Sequence, residues 1–427
     1  MSYFWRPELF RRFFSFLKPT RPVPESDRAN FRNLFFDIGW FGILNGSTIA
    51  FLSIYAARIG ANTSQLGLIT AAPAIISLIF ALPSGNWLGR RQTRGAVVTT
   101  AILSRMVYLV YVPLPFLLDN FGGQTQVLII ILATLVMSIP GTALAMGFNA
   151  LFAEAVPLEW RGYVVGVRNA VFAVTTTLAT LLCGRVLVST TFPMGYVVVF
   201  GLGFLGAAMS AYHLFRVHTT TEKYIPPEID GISINWFSRL RQQLRTDILR
   251  GPFGRVLFLL IAFHLAQYLP APIFPAFSVN VLKLSDQIIG LGSALFYVTV
   301  FIGSLQFARL SARWGNRILT GVGLVMLGIY PVLLGISTGP TLYLITSLVG
   351  GFAWSVAGGA YYNYLLENVP PADRPAHLAW FTIGANAAIL VASIIGPLVG
   401  NWLGLSGALI VLGAIRMLTG FSIARWG

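Results

Sequence analysis

The chain has 427 residues, 56% of them hydrophobic and only 10% charged, with a net charge of +15. A soluble domain carries about 25% charged residues, so this composition excludes a water-covered globular protein and makes lipid the solvent for most of the chain. One cysteine, Cys183, and four scattered histidines (213, 218, 264 and 377) exclude an intramolecular disulfide framework, a multi-cysteine metal site and a clustered catalytic centre; neither a cofactor nor an enzyme is expected.

Residues 1–32 read as a cytoplasmic segment. In RPELFRRFFSFLK (6–18), Phe10, Phe13, Phe14 and Leu17 share one helical face and Arg11, Ser15 and Lys18 another. That pattern predicts an interfacial helix, and Arg11 and Arg12 stand where a cleavable leader would need apolar residues. Twelve stretches of bilayer-spanning length follow, at roughly 33–57, 64–88, 96–118, 126–152, 164–188, 195–216, 255–280, 287–308, 317–336, 340–366, 377–403 and 405–424. VLIIILATLVM (127–137) is apolar at every position, whereas a barrel strand alternates. The fold class is therefore an all-α polytopic membrane protein. A polar, basic linker, 217–254, separates an N-terminal six-helix bundle (33–216) from a C-terminal one (255–427).

With the N-terminus inside, 24 of the 29 Lys and Arg residues fall on one side, the exceptions being Arg58, Arg105, Arg185, Lys283 and Arg416. This bias places both termini in the cytoplasm, and it ties the basicity to topology and anionic headgroups rather than to nucleic acid.

The two bundles share a register. Gly67–Leu68 lies 223 residues before Gly290–Leu291, and at that offset Gly85 falls on Ala308, Arg90 on Arg313 and Arg94 on Arg317. EAVPLEWR (154–161) matches ENVPPADR (367–374) at an offset of 213, keeping Glu, Val, Pro and Arg. An even helix count sets such repeats the same way up.

On these residues the chain resembles the major facilitator superfamily of transporters, whose signature after helix 2 is G-x-x-x-D-R-x-G-R-R, repeated in weaker form after helix 8. Gly85, Arg90 and Arg94 fit; Gly89 replaces the aspartate and Gln92 the second glycine. In the second copy Arg313, Gly315 and Arg317 fit, with Ala312 where the acid would be. The E-x-V-P-x-x-x-R element resembles that of sugar-porter branches, and RGYVVGVRNA (161–170) resembles a pattern of poorly characterised bacterial members. The resemblance implies two six-helix pseudo-repeats that rock about a central cavity lined by helices 1, 4, 7 and 10. It also implies that Glu154 meets Arg90 or Arg94, and Glu367 meets Arg313 or Arg317, in a cytoplasmic gate that includes Arg161 and Arg374.

Polar groups inside a membrane are costly and mark function. The cavity candidates are Asn45, with Ser47, Thr48 and Tyr55, in helix 1; Asn149 in helix 4; His264, Gln267 and Tyr268 in helix 7; and Trp354 and Asn363 in helix 10. His264 and Gln267 are three apart and share a face. His264 is either a histidine bonded to a neighbouring carbonyl or a substrate or proton contact. Asn45 aligns with Tyr268 at the 223 offset, which makes the two a pair of substrate contacts. Asp37 is the acid well inside helix 1, there either to pair with a basic neighbour such as Arg168 or to carry protons. Arg105 and Arg416 are expected to snorkel or pair structurally. Pro270, Pro272 and Pro275 bend helix 7, either as a structural kink or as a gate.

No G-x-x-x-x-G-K-[ST] loop occurs, so direct ATP drive is not expected. The expected function is a secondary transporter that moves a small organic solute by alternating access, driven by an ion gradient, first a proton gradient through Asp37 or His264, or by facilitated diffusion. The alternative is a transporter-like sensor or assembly factor. The expected partners are a small-molecule substrate, the lipid bilayer and protons, with no nucleic acid. The chain is expected to act as a monomer in the inner (plasma) membrane.

Overall fold

The computed structural model describes residues 22–219, 246–370 and 373–427. The interfacial helix expected at 6–18 and residues 220–245 of the expected linker lie outside them. Among the described residues nine helices are long and apolar enough to cross a bilayer: α1 (Glu25–Arg58), α2 (Thr63–Leu88), α3 (Thr93–Ala155), α4 (Leu158–Ser189), α5 (Met194–Phe215), α6 (Pro252–Val281), α7 (Asp286–Gly335), α8 (Pro340–Asn368) and α9 (Ala376–Trp426).

Three of them exceed one crossing. α3, α7 and α9 hold 63, 50 and 51 residues, and a straight 50-residue helix runs about 75 Å against a hydrocarbon core of about 30 Å. Each is interrupted by a glycine at positive φ: Gly122 (70°), Gly315 (74°) and Gly404 (70°). Their ψ values lie near 160°, a region that glycine alone enters without strain. The gaps expected at 118–126, 308–317 and 403–405 contain these three residues.

Local signals fix where helices start. Asn62 and Gln65 form a reciprocal capping box at the head of α2. Pro252 and Pro340 open α6 and α8, where a missing N–H costs nothing. α1 and α4 begin at Glu25 and Leu158, before the expected 33 and 164, because their first turns are polar helix that an apolar pattern does not register.

α1 to α5 pack as one group and α6 to α9 as another. The groups meet along two seams, α4 with α7 and α2 with α9. Small residues let the backbones approach. A Cβ on Gly46 of α1 would collide with the Thr176 carbonyl of α4, and one on Gly321 of α7 would stand 2.6 Å from the Gly420 carbonyl of α9.

α6 is broken where its prolines fall, into Pro252–Tyr268, Ile273–Ala276 and a π turn at Phe277–Val281. A proline leaves the carbonyl four residues earlier without its donor. Pro270 frees Ala266 in this way, and Pro331 of α7 frees Leu327. The fully buried Arg416 of α9 supplies both: Nε donates to Ala266 O at 3.1 Å, Nη1 to Leu327 O at 3.0 Å and Nη2 to Gln267 O at 2.6 Å. Arg416 thus fills the hydrogen-bond gaps of two proline-broken helices.

Arg416→Met therefore leaves three buried carbonyls without donors, at about 1–3 kcal/mol each before relaxation. Its melting temperature in detergent is expected to fall well below that of the wild type. Arg416→Lys, a point donor that cannot span three carbonyls, is expected to fall in between. Equal melting of Met variant and wild type would show that water or repacking serves these carbonyls instead.

Candidate functional site

The site begins at the middle of α1. Asn45 opens a π turn, Asn45–Ile49, a feature frequent at functional positions. Its Nδ2 donates to Tyr297 Oη of α7 at 2.9 Å, which joins the two helix groups. Tyr297 also packs edge-on against Phe172 of α4, ring centroids 6.2 Å apart. The hydrogen-bond partner of Asn45 is thus Tyr297. Nearby, Ser47 turns its hydroxyl to Ile43 O at 2.6 Å, Thr48 is buried, and Tyr55 donates to Gln126 Oε1 at 2.5 Å.

On α6, His264 is buried, with Nδ1 2.9 Å from Leu260 O. Its ring meets Phe263, Tyr361 and Phe381 at centroid distances of 5.4–5.5 Å. Gln267, one turn on, gives its carbonyl to Arg416, while its Oε1 is buried without a hydrogen-bond partner. Tyr268 and Trp354 are half-buried, and Asn149 and Asn363 are exposed on α3 and α8. The structure therefore joins Asn45 to Tyr297 and His264 to Tyr361.

Asp37 sits at a charged junction. Its Oδ1 accepts from Ser210 Oγ at 2.6 Å and from Arg105 Nη2 at 3.5 Å, and its Oδ2 accepts from Arg168 Nη1 at 3.1 Å. Arg168 also donates to Leu34 O at 2.7 Å and lies over the Phe148 ring, 4.9 Å from its centroid. One carboxylate thus ties α3, α4 and α5 to α1. It is 2% exposed and balances only one of two guanidiniums.

The arginine loops are built twice on one plan. Thr93 Oγ1 donates to Glu154 Oε1 at 2.6 Å, and Asn316 Nδ2 donates to Glu367 Oε1 at 2.6 Å. Arg94 donates to the carbonyls of Phe215 and Val217 at 2.8 Å, past the end of α5; Arg317 donates to the Gly427 carbonyl at 2.8 Å, past the end of α9. Arg161 closes the end of α3 through Ala153 O and Val156 O, at 2.8 and 3.2 Å. Arg90, Arg313 and Arg374 are exposed. The structure thus bonds the two glutamates to Thr93 and Asn316, and it sets the arginines on helix C-termini, where a cation is favoured. Thr93 and Asn316 occupy equivalent places at the 223 offset, the signal that could have singled them out.

At the opposite ends of the helices the two groups are locked. Arg58 of α1 sets Nε and Nη2 each 2.7 Å from Asp286 Oδ1 of α7, and Nη2 also donates to Leu284 O at 2.7 Å. Thr63 of α2 donates to Asn401 of α9 at 3.2 Å. A Cβ on Gly67 would collide with the Ser393 carbonyl, and one on Gly290 would lie 3.0 Å from the Thr180 carbonyl. A cavity of about 620 Å³ opens against α1 and α4, lined by Phe31, Phe35, Phe36, Trp40, Tyr163 and Thr175 among others. Phe36 is 51% exposed, and Ile302 and Leu305 on α7 are 44% and 41% exposed.

Residues 256–426 match the family model of the Major Facilitator Superfamily. No curated protein sequence matches the chain. Solved structures match nearly all of it. A point mutant of the nucleoside transporter NupG superposes with a TM-score of 0.70 at 12% identity, over 92% of this chain and 98% of that one. A bacterial homologue of the iron transporter ferroportin in an inward-facing state gives 0.67 at 14% identity, over 95% and 100%. The human organic anion transporter MFSD10 gives 0.64 at 14% identity, over 94% and 100%.

Asp37→Asn should strand two buried guanidiniums. Breaking a buried ion pair from one side costs about 3–5 kcal/mol, so the variant's melting temperature in detergent is expected to drop sharply. Asp37→Asn combined with Arg105→Gln should recover part of the loss. An additive double variant, with no recovery, would mean that Arg105 does not depend on Asp37.

Proposed function

We propose that this chain, a transporter of the major facilitator superfamily, moves a small organic solute across the cytoplasmic membrane by alternating access of two six-helix halves. The observation that carries this reading is one-sided contact. The ion pair, the hydrogen bonds and the glycine approaches between the two helix groups lie from Asn45–Tyr297 to the Arg58–Asp286 end. Toward the arginine loops a cavity of about 620 Å³ opens on the first group, against α1 and α4. Such an arrangement is one state of a two-state carrier.

Twelve crossings follow if each of α3, α7 and α9 turns back at its glycine, and the paired Thr93–Glu154 and Asn316–Glu367 contacts support a duplicated half. The charge bias then sets the arginine loops and both termini in the cytoplasm, so that the structure is open to that side. Asn45, Tyr297, His264, Gln267 and Tyr268 are the proposed substrate contacts, with Trp354, Asn149 and Asn363 beside them as further candidates. Transport is driven by an ion gradient, with His264 or Asp37 as the proton-carrying group.

The outer lock should set the balance of states. With spin labels at Gln92→Cys and Ala312→Cys in a Cys183→Ser background, Arg58→Glu is expected to shorten the cytoplasmic distance, because the outer ends then repel. A loss of ~1.4 kcal/mol changes the ratio of states tenfold. The swap with Asp286→Arg should restore the long distance. Distances unmoved by Arg58→Glu would rule out the lock.

The open side should also close along α4 and α7. Gly184 with Gln287, Thr180 with Gly290 and Phe172 with Tyr297 form an antiparallel series. Val165 and Ser304 continue it seven residues beyond Phe172 and Tyr297, and both are exposed here. Val165→Cys with Ser304→Cys, again without Cys183, is expected to form a disulfide during turnover and to arrest transport until reduced. Free thiols under oxidising turnover would place the closing surface elsewhere.

A further inference from the structure

The junction at Asp37 carries more cation than it needs. Arg105 and Arg168 both address one carboxylate, and Arg105 does so at 3.5 Å, the longer of the two contacts. Arg105 Nη1 is buried and has no hydrogen-bond partner among the described residues. The residue is 8% exposed. A buried guanidinium left part-bonded is expensive in a membrane interior, and the neighbouring ionisable groups toward the cytoplasmic end, Arg32, His213 and Arg216, add no acid.

Arg105 also lines a cavity of about 310 Å³ between α1, α2 and α3, at the lower end of the range for small-ligand sites. The polar side chains around it are oriented in one sense. Ser104 donates to Ala101 O at 3.1 Å, Ser138 to Thr134 O at 2.6 Å and Thr142 to Ser138 O at 2.9 Å. Their protons are spent on their own helix, so their lone pairs face the cavity as acceptors. Ser77 shares only a 3.4 Å contact with Thr142. The cavity thus offers one cationic donor and several neutral acceptors.

We propose that this cavity binds the carboxylate of a small hydroxylated organic acid, with Arg105 Nη1 on the carboxylate and Ser104, Ser138 and Thr142 accepting from its hydroxyl groups. The inference rests on the transporter reading and adds to it a second ligand site, inside the first helix group and apart from the contacts proposed at Asn45 and His264. A carboxylate supplies the charge that Asp37 cannot, and hydroxyl protons supply what the serine and threonine oxygens lack. An ammonium group would meet two arginines, so amino acids fit poorly. A neutral polyol would leave the surplus charge unpaired.

The test uses the purified full chain in nanodiscs at constant ionic strength. Glycerate and gluconate are titrated by calorimetry beside glycerol, glucose and chloride. Saturable binding of the two carboxylates, with none for the polyols or chloride, is expected. Arg105→Gln should weaken carboxylate binding about tenfold or more, since a charged hydrogen bond is lost, and Arg105→Lys should weaken it less. Should Arg105→Gln fail to fold, Ser77→Leu fills the cavity without touching the ion cluster and should abolish binding alone. Carboxylate binding unaltered in Ser77→Leu, polyols binding as well as carboxylates, chloride alone binding, or neither carboxylate binding to the wild type each overturns the proposal. Uptake into proteoliposomes separates this from the transport reading. Glucose carried without carboxylate binding sinks the site and spares the transporter; carboxylates bound at Arg105 but never carried do the reverse.

Discussion

The bilayer allows no unsatisfied polar group to face it, and the fold is arranged around that constraint. Prolines break α6 and α7 where the helices must bend, and each break frees a carbonyl that lipid cannot serve. Arg416 answers for both from a third helix, so a side chain expensive to bury becomes the fastener of α6, α7 and α9. In the other helix group Asp37 plays the converse part: an acid collects donors from α3, α4 and α5. Each group is thus cross-braced around one buried charged residue, Arg416 in one and Asp37 in the other.

In the proposed carrier, rigid groups turn a local contact into a change of access. Where the groups meet, Gly67, Gly184 and Gly290 admit backbones to near contact, while toward the arginine loops Ile302 and Leu305 of α7 are exposed. Close backbone packing is won or lost nearly whole, because interfaces of this density do not deform smoothly. The Arg58–Asp286 pair lies at the rim of the packed end, with side chains 22% and 11% exposed. There water reaches both charges, as the proposed lock requires if the ends are to separate.

Much of this was legible in the sequence, for reasons that also mark where legibility stopped. Apolar runs report the lipid span, so the helices and their breaks at Gly122, Gly315 and Gly404 could be placed to within a few residues. The polar extensions of α1 and α4 carry no such signal and were missed. Asp37 and His264 stood out because an ionisable residue in an apolar run is costly, and Arg168 and a neighbouring carbonyl were legible as their partners, whereas Arg105, Ser210 and Tyr361 were not. Tyr297 looks like one more aromatic in an apolar window, and its role depends on which helix faces it. Arg58 read as a topological leftover because its acid, Asp286, is 228 residues away. Spacing along one chain reveals faces and repeats; it does not reveal which face meets which.

The arginine interruptions show the same limit from the other side. The sequence reads them as one loop used twice, and the family resemblance implied pairing each glutamate with a neighbouring arginine. The structure instead gives the glutamates to the neutral donors Thr93 and Asn316 and sends Arg94 and Arg317 to the carbonyls past the ends of α5 and α9. This division is the better electrostatic solution at a membrane surface. A guanidinium on a helix C-terminus meets several partial charges at once, whereas an exposed ion pair gains little beyond its own hydration. Both copies make the same choice with different donors, one a hydroxyl and one an amide.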